Sequence, residues 1–220
     1  MIKQIRKQID FKDINESLST IPSKLAVTDI TKSQRNINLK TPSFSDRLTS
    51  SEIGIATHEF LQYANFKNAK INIENEIKRL VQFEYITLKQ SKYLNIEKLK
   101  CFFNSKIYKL IEKADIIQRE KSFIYEISAK ELYPNADDSK IIIQGIIDCL
   151  IEKNNQLIIV DYKTDKISEN NLKKLYTPQL LYYKQALENL TKKSVIACYI
   201  YSVHLSKTIS CYSNNNIKAE

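Results

Sequence analysis

Asp148 interrupts the run Ile141-Ile142-Ile143-Gln144-Gly145-Ile146-Ile147-Asp148-Cys149-Leu150-Ile151, which otherwise reads as a buried strand. A carboxylate in such a run loses its hydration and needs a counter-charge, a metal or hydrogen bonds. Asp161 follows Leu157-Ile158-Ile159-Val160 and so ends the next apolar run. Lys153-Asn154-Asn155 between the two runs suits a tight hairpin, which would bring both carboxylates to one end of a sheet. Two such groups repel unless a cation sits between them, and oxygen ligands of this kind suit Mg2+ or Mn2+. Lys163 lies two residues past Asp161, on the same face of a strand. A lysine there can orient or deprotonate a water and can neutralise charge building on a phosphate. An Asp-x-Lys triplet alone is equally the pattern of a surface ion pair at a strand end; the upstream Asp148 favours a site.

These residues need a sheet to hold them. Residues 116–127, 139–151 and 156–162 are β-branched runs of strand length, and two further strands fit 194–204 and 208–212. Helical spacing of apolar residues begins at Ser51, which suits an N-cap, and continues through 72–90 and 95–113. A helix is also expected over 177–190, with Thr177 as N-cap and Pro178 in the first helical position. The order is helices, three strands, a helix and two strands, which is α/β with a mixed sheet flanked by helices. Residues 1–50, rich in Ser, Thr, Lys and Asn with a strand-like patch at 25–30, read as a partly irregular lead-in. Residues 51–220 read as one domain, with a helical part over 51–115 and a sheet-containing core over 116–213.

Composition removes other chemistries. The two glycines of this 220-residue chain, Gly54 and Gly145, lie too far apart for a phosphate-cradling loop, so no nucleotide cofactor is expected on the chain. Two histidines and four cysteines without a CxxC pair exclude finger-type zinc sites. No secretory signal or bilayer-spanning stretch is visible, so a reduced, cytoplasmic protein without a membrane partner is expected. The net charge of +9 is concentrated in residues 1–51 and 163–220, which suits a polyanion such as DNA.

The segments Gln144-Gly145-Ile146-Ile147-Asp148, Ile159-Val160-Asp161-Tyr162-Lys163-Thr164-Asp165 and Gln179-Leu180-Leu181-Tyr182-Tyr183 follow one another in the order of the GxxD, DYKT and QxxxY motifs. With Gly54-Ile55-Ala56-Thr57-His58 as a GxxxH element and 22–28 as a lead-in segment, the chain resembles the PD-(D/E)XK nucleases. More narrowly it resembles the RecB/AddA-type nuclease domain, and the restriction-endonuclease-like fold is the one implied. The resemblance implies metal ligation by His58, Asp148, Asp161 and the Tyr162 carbonyl, with Lys163 as the catalytic lysine. Gln179 and Tyr183, four apart and so on one helix face, would project toward the DNA backbone or Lys163. Glu120 would either assist the metal or pair with Arg119 or Lys121.

The activity so implied is a Mg2+-dependent DNA exonuclease of double-strand-break repair and recombination, with Mn2+ as an alternative metal. It would work with a separate helicase or AddA–AddB-like subunit, since this chain carries no motor. Related exonucleases hold an iron–sulfur cluster with four cysteines; the cysteine spacing here does not match, and none is expected. The rival readings are a catalytically silent DNA-binding or partner-docking remnant, and a restriction-like endonuclease. A side chain at either glycine would crowd a helix packed on the sheet or a backbone near the site.

Overall fold

In a computed structural model, which describes residues 22–32, 47–131, 133 and 136–214, the chain forms a six-stranded mixed sheet with helices on both faces. The strands are β1 (Lys24–Ala26), β2 (Ile116–Ser128), β3 (Lys140–Lys153), β4 (Gln156–Lys163), β5 (Val195–Ser202) and β6 (Lys207–Ser213). The hairpin expected between β3 and β4 is present, with Asn154 and Asn155 both at positive φ as a two-residue turn requires. Between β4 and β5 the chain crosses over through a helix, and those two strands run parallel.

β4 shows why one sequence covers two cores. Its alternate residues Ile158, Val160 and Tyr162 face one helical layer, while Leu157 and Ile159 face the other. The first layer comprises α2 (Ser50–Tyr63), α3 (Phe66–Ile71), α4 (Ile73–Gln82), α5 (Leu88–Ser91), α6 (Ile96–Phe103) and α7 (Lys106–Glu112). The second contains α1 (Val27–Lys32) and α8 (Glu169–Thr191). Asp161 and Lys163 continue the alternation of Leu157 and Ile159 and so are carried on the α8 side.

Two helix starts differ from expectation. α2 is capped by Thr49, not Ser51, because Thr49 and Glu52 form a reciprocal capping box that Ser51, with Gly54 three residues on, cannot make. α8 begins after Ser168, so Thr177 and Pro178 lie inside it. Its buried positions Leu172, Tyr176, Leu180, Tyr183 and Leu187 keep one face on the sheet through the proline. That burial outweighs the one backbone bond a proline removes. Of the strand-like patch expected at 25–30 only the start is strand: β1 pairs parallel to β3, with Ala26 opposite Gln144, and from Val27 the chain is helix α1.

Candidate active site

The site grows out of a gap in the sheet. β2 runs the full length of β3 on one edge, but the other edge is shared by two strands. β1 pairs with Ile142–Gln144 and β4 with Cys149–Lys153, leaving residues 145–148 without a strand partner on that side. The carboxyl ends of β1 and β4 both point into this gap. A crevice at the carboxyl ends of strands, where strand order changes, is the usual ligand position in open α/β sheets.

Asp148 sits at the gap's edge. Its Oδ2 accepts a hydrogen bond from the Tyr162 N–H at 2.7 Å, so a side chain replaces a rung of the ladder where β3 and β4 part. The facing of side chains changes at the same place. Ile147 packs on the α8 side and Cys149, two residues on, packs on the α2 side, although regular pleating would put them together. On β2 the partner position is Glu120, between the Arg119–Cys149 and Lys121–Ile147 pairs, and its φ is +52°. A left-handed glutamate in mid-strand is strained backbone of the kind that re-aims a side chain.

That strain brings Glu120 to Asp148. One ligand atom each from His58, Glu120 and Asp148 lie within 4.8 Å of one another. His58 Nδ1 is 3.7 Å from Asp148 Oδ2. Asp161 is almost wholly buried, at 2% exposure, and is not part of that trio; its Oδ2 lies 2.5 Å from the Lys163 ammonium. Lys163 also stands over the Tyr176 ring, 4.4 Å from its centroid, and the Tyr176 hydroxyl donates to Asp165. Gln179 Nε2 donates to Tyr183 Oη at 2.7 Å, and both side chains are buried against the crevice.

Crowding of like charge sets the protonation states. Burial, and then the Asp161 charge, push the Asp148 carboxyl up to about 8, against the pull of Lys163 and the Tyr162 N–H. Burial and Asp161 likewise raise Glu120. Burial alone would lower Lys163, but Asp161 and Asp148 outweigh it and hold the ammonium above the usual lysine value. His58 is lowered by burial and then by Lys163, which keeps its imidazole neutral and a lone pair free for a metal. Glu120, Asp148 and the neutral imidazole of His58 form a hard, largely oxygen donor set, and the residues present fit Mg2+ or Mn2+.

The surrounding residues hold this arrangement. Among the described residues, Arg119 pairs with neither Glu120 nor another carboxylate. Its Nη1 donates to the Leu61 and Ala64 carbonyls, closing the C-terminal end of α2, and its guanidinium lies 4.7 Å from the Phe66 ring centroid. The strand that carries Glu120 is thereby tied to the helix that carries His58. A Cβ on Gly54 would come within 2.8 Å of Thr164 Oγ1, so glycine lets α2 approach the strand end. A Cβ on Gly145 would meet Phe123 at 2.7 Å and Tyr183 at 2.8 Å, and neither glycine has a positive φ. Crowding by packing elements is the reason expected for both. Arg119 and Phe123 carried no motif signal, and Thr164, the last residue of the DYKT motif, carried no assigned role.

A family model described as the PD-(D/E)XK nuclease superfamily matches residues 32–215. An ATP-dependent helicase/nuclease subunit of Clostridium botulinum strain 657 is 35% identical over 222 residues, covering 90% of this chain. The protein of the same description from Clostridium kluyveri is 35% identical over 227 residues, again covering 90%. The chain spans 17% and 18% of the length of these relatives. Sheet order, crevice and family match agree, and the chain belongs to the PD-(D/E)XK nuclease superfamily.

Proposed function

We propose that this chain is a Mg2+-dependent DNA exonuclease, with Mn2+ as an alternative metal, that hydrolyses phosphodiester bonds in double-strand-break repair and recombination. The observation that carries this reading is the convergence of His58, Glu120, Asp148, Asp161 and Lys163 on one gap in the sheet. His58, Asp148 and Glu120 would hold a divalent cation, with Asp161 and the Tyr162 carbonyl as further candidate ligands, and when bound it would supply charge stabilisation to the phosphate and acidity to a water. Lys163, held charged by Asp161, offers a positive group to the phosphate oxygens rather than a base to the water. Asp161 therefore acts both toward the cation site and as the group that aims the lysine. The Gln179–Tyr183 pair braces the α8 wall of the crevice, where a sugar–phosphate backbone would pass.

The net charge of +9 favours a DNA partner, and the names of the relatives, helicase/nuclease subunits, favour joint action with a helicase; a cytoplasmic location is part of the same proposal. No helix among the described residues is long and apolar enough to cross a membrane. The test is cleavage of linear single- and double-stranded DNA and of closed circles in Mg2+, by the native chain and by Asp161→Ala and Lys163→Ala. Lys163→Ala is expected to lose on the order of 10²–10³ in rate, the usual cost of removing one electrostatic donor. Circles should resist. Equal rates in all three proteins, or no cleavage by any with metal bound, would overturn the proposal.

A further inference from the structure

Two cavities meet at Asp148, and they differ in character. One, of about 810 Å3, lies under α2 and is lined by polar groups including His58, Glu59, Gln62, Glu120 and Lys166. The other, of about 770 Å3, begins at Asp148, Asp161 and Lys163 and runs along the unpaired stretch of β3. It is largely apolar and straddles the edge of the sheet, with Val27 and Phe123 on the α8 side and Ile124 and Ile146 on the opposite face. Ile124 and Ile146 keep 63% and 52% of their surface exposed. The reactive groups thus stand between a chamber edged by charged and polar side chains and a more apolar one.

We propose that the apolar chamber is a nucleobase subsite, in which Ile124 and Ile146 cover one face of the base adjoining the cleaved phosphodiester. The inference rests on the nuclease reading. A phosphate at Lys163 is tied through one sugar to its base, so that base must lie beside the carboxylates, where this chamber opens. Its width and walls set the form of the base. A base inside a duplex has both faces stacked and its edge paired, so it has no face to offer an apolar wall. A base at a frayed or single-stranded end does, and apolar contact with its face is indifferent to sequence. Gln144 and Ser122, in the same walls, bring groups that both donate and accept hydrogen bonds, so each base edge finds a partner. The site would therefore demand an unpaired base while tolerating any of the four.

The test uses single-stranded oligonucleotides carrying one abasic residue at successive positions from the end. Cleavage is measured in Mg2+ and binding in Ca2+, for the native chain and for Ile124→Thr, Ile146→Thr and the double variant. Threonine keeps the β-branch that suits an exposed strand position. In the native chain an abasic residue beside the cleaved bond should raise KM and Kd about tenfold, the scale of one base–side-chain stacking contact. The double variant should show a similar rise on intact DNA and no further rise on the abasic strand. Base-independent binding by the native chain, or variant and abasic effects that multiply, would overturn the subsite. Base-dependent binding without cleavage would uphold it and strike the nuclease reading instead.

Discussion

Gly145→Ala tests the packing that supports the crevice. The added methyl would sit 2.7 Å from two ring atoms of Phe123 and 2.8 Å from one of Tyr183, closer than any carbon pair rests. Those rings already meet edge to face, centroids 5.4 Å apart, with the sheet beneath them and α8 above. The core holds both rings on their other sides, so either can yield only toward the crevice that they line. Overpacking of this kind costs about 1–3 kcal/mol. Because Gly145 has ordinary backbone angles, alanine also removes unfolded-state freedom and returns about 0.4–1 kcal/mol. The midpoints of these ranges leave a net loss of about 1.3 kcal/mol, or roughly 3–5 °C in Tm for a domain of this size. Urea unfolding gives the free energy and a thermal melt the shift. In a Phe123→Leu background two of the three clashing atoms are gone, so the cost of the alanine should fall by about 1 kcal/mol. A Tm within 1 °C of native, or a cost unchanged in the leucine background, would refute the reasoning. Gly54→Ala is the contrast: its main clash is with one hydroxyl, Thr164 Oγ1. A rotation of that group and the better helix propensity of alanine should leave stability within about 1 kcal/mol of native.

Arg119→Ala should cost about 2–3 kcal/mol by urea unfolding, because two carbonyls at the end of α2 lose a charged donor. Lysine, without the planar fork, should restore only part of it. Metal titration tests the ligand set: Mg2+ or Mn2+ at a hundred times its Kd should stabilise the metal-free chain by about 2.7 kcal/mol. His58→Ala and Glu120→Gln should each weaken that response; a full response from Glu120→Gln would remove Glu120 from the ligands. Cys149 and Cys198 are buried with thiols pushed up to about 12. At pH 8 only about one in ten thousand of such thiols is a thiolate. Mass spectrometry after brief iodoacetamide treatment should therefore find label on the exposed Cys101 and none on these two until urea is added.

Much of this was legible in the residues. Apolar runs of strand length located β2 to β6 within a residue or two, because β-branched and aromatic residues mark a strand by composition whether both faces are buried, as in β4 and β5, or one is exposed, as in β2 and β6. Helix starts were less legible. Ser168 and Thr177 are equally good caps in isolation, and only packing of the α8 face on the sheet chose between them. The lysine at Asp161 and the histidine near Asp148 were readable from spacing and resemblance. Glu120 was ambiguous because its neighbours Arg119 and Lys121 offered local pairing, and whether it pairs or ligates depends on a strand twist that spacing does not encode.

The sequence by itself determined which residues can do chemistry and on which strands they ride, since a carboxylate in an apolar run must find a partner wherever the chain folds. Tertiary structure decided what they do together. The shared edge of β3, with β1 on one part and β4 on another, opens the gap. The left-handed backbone of Glu120 turns a third acid toward Asp148. The Arg119 clasp holds His58 within reach. Each depends on pairing between segments tens of residues apart, whose register and twist are set by packing in three dimensions and by no local pattern.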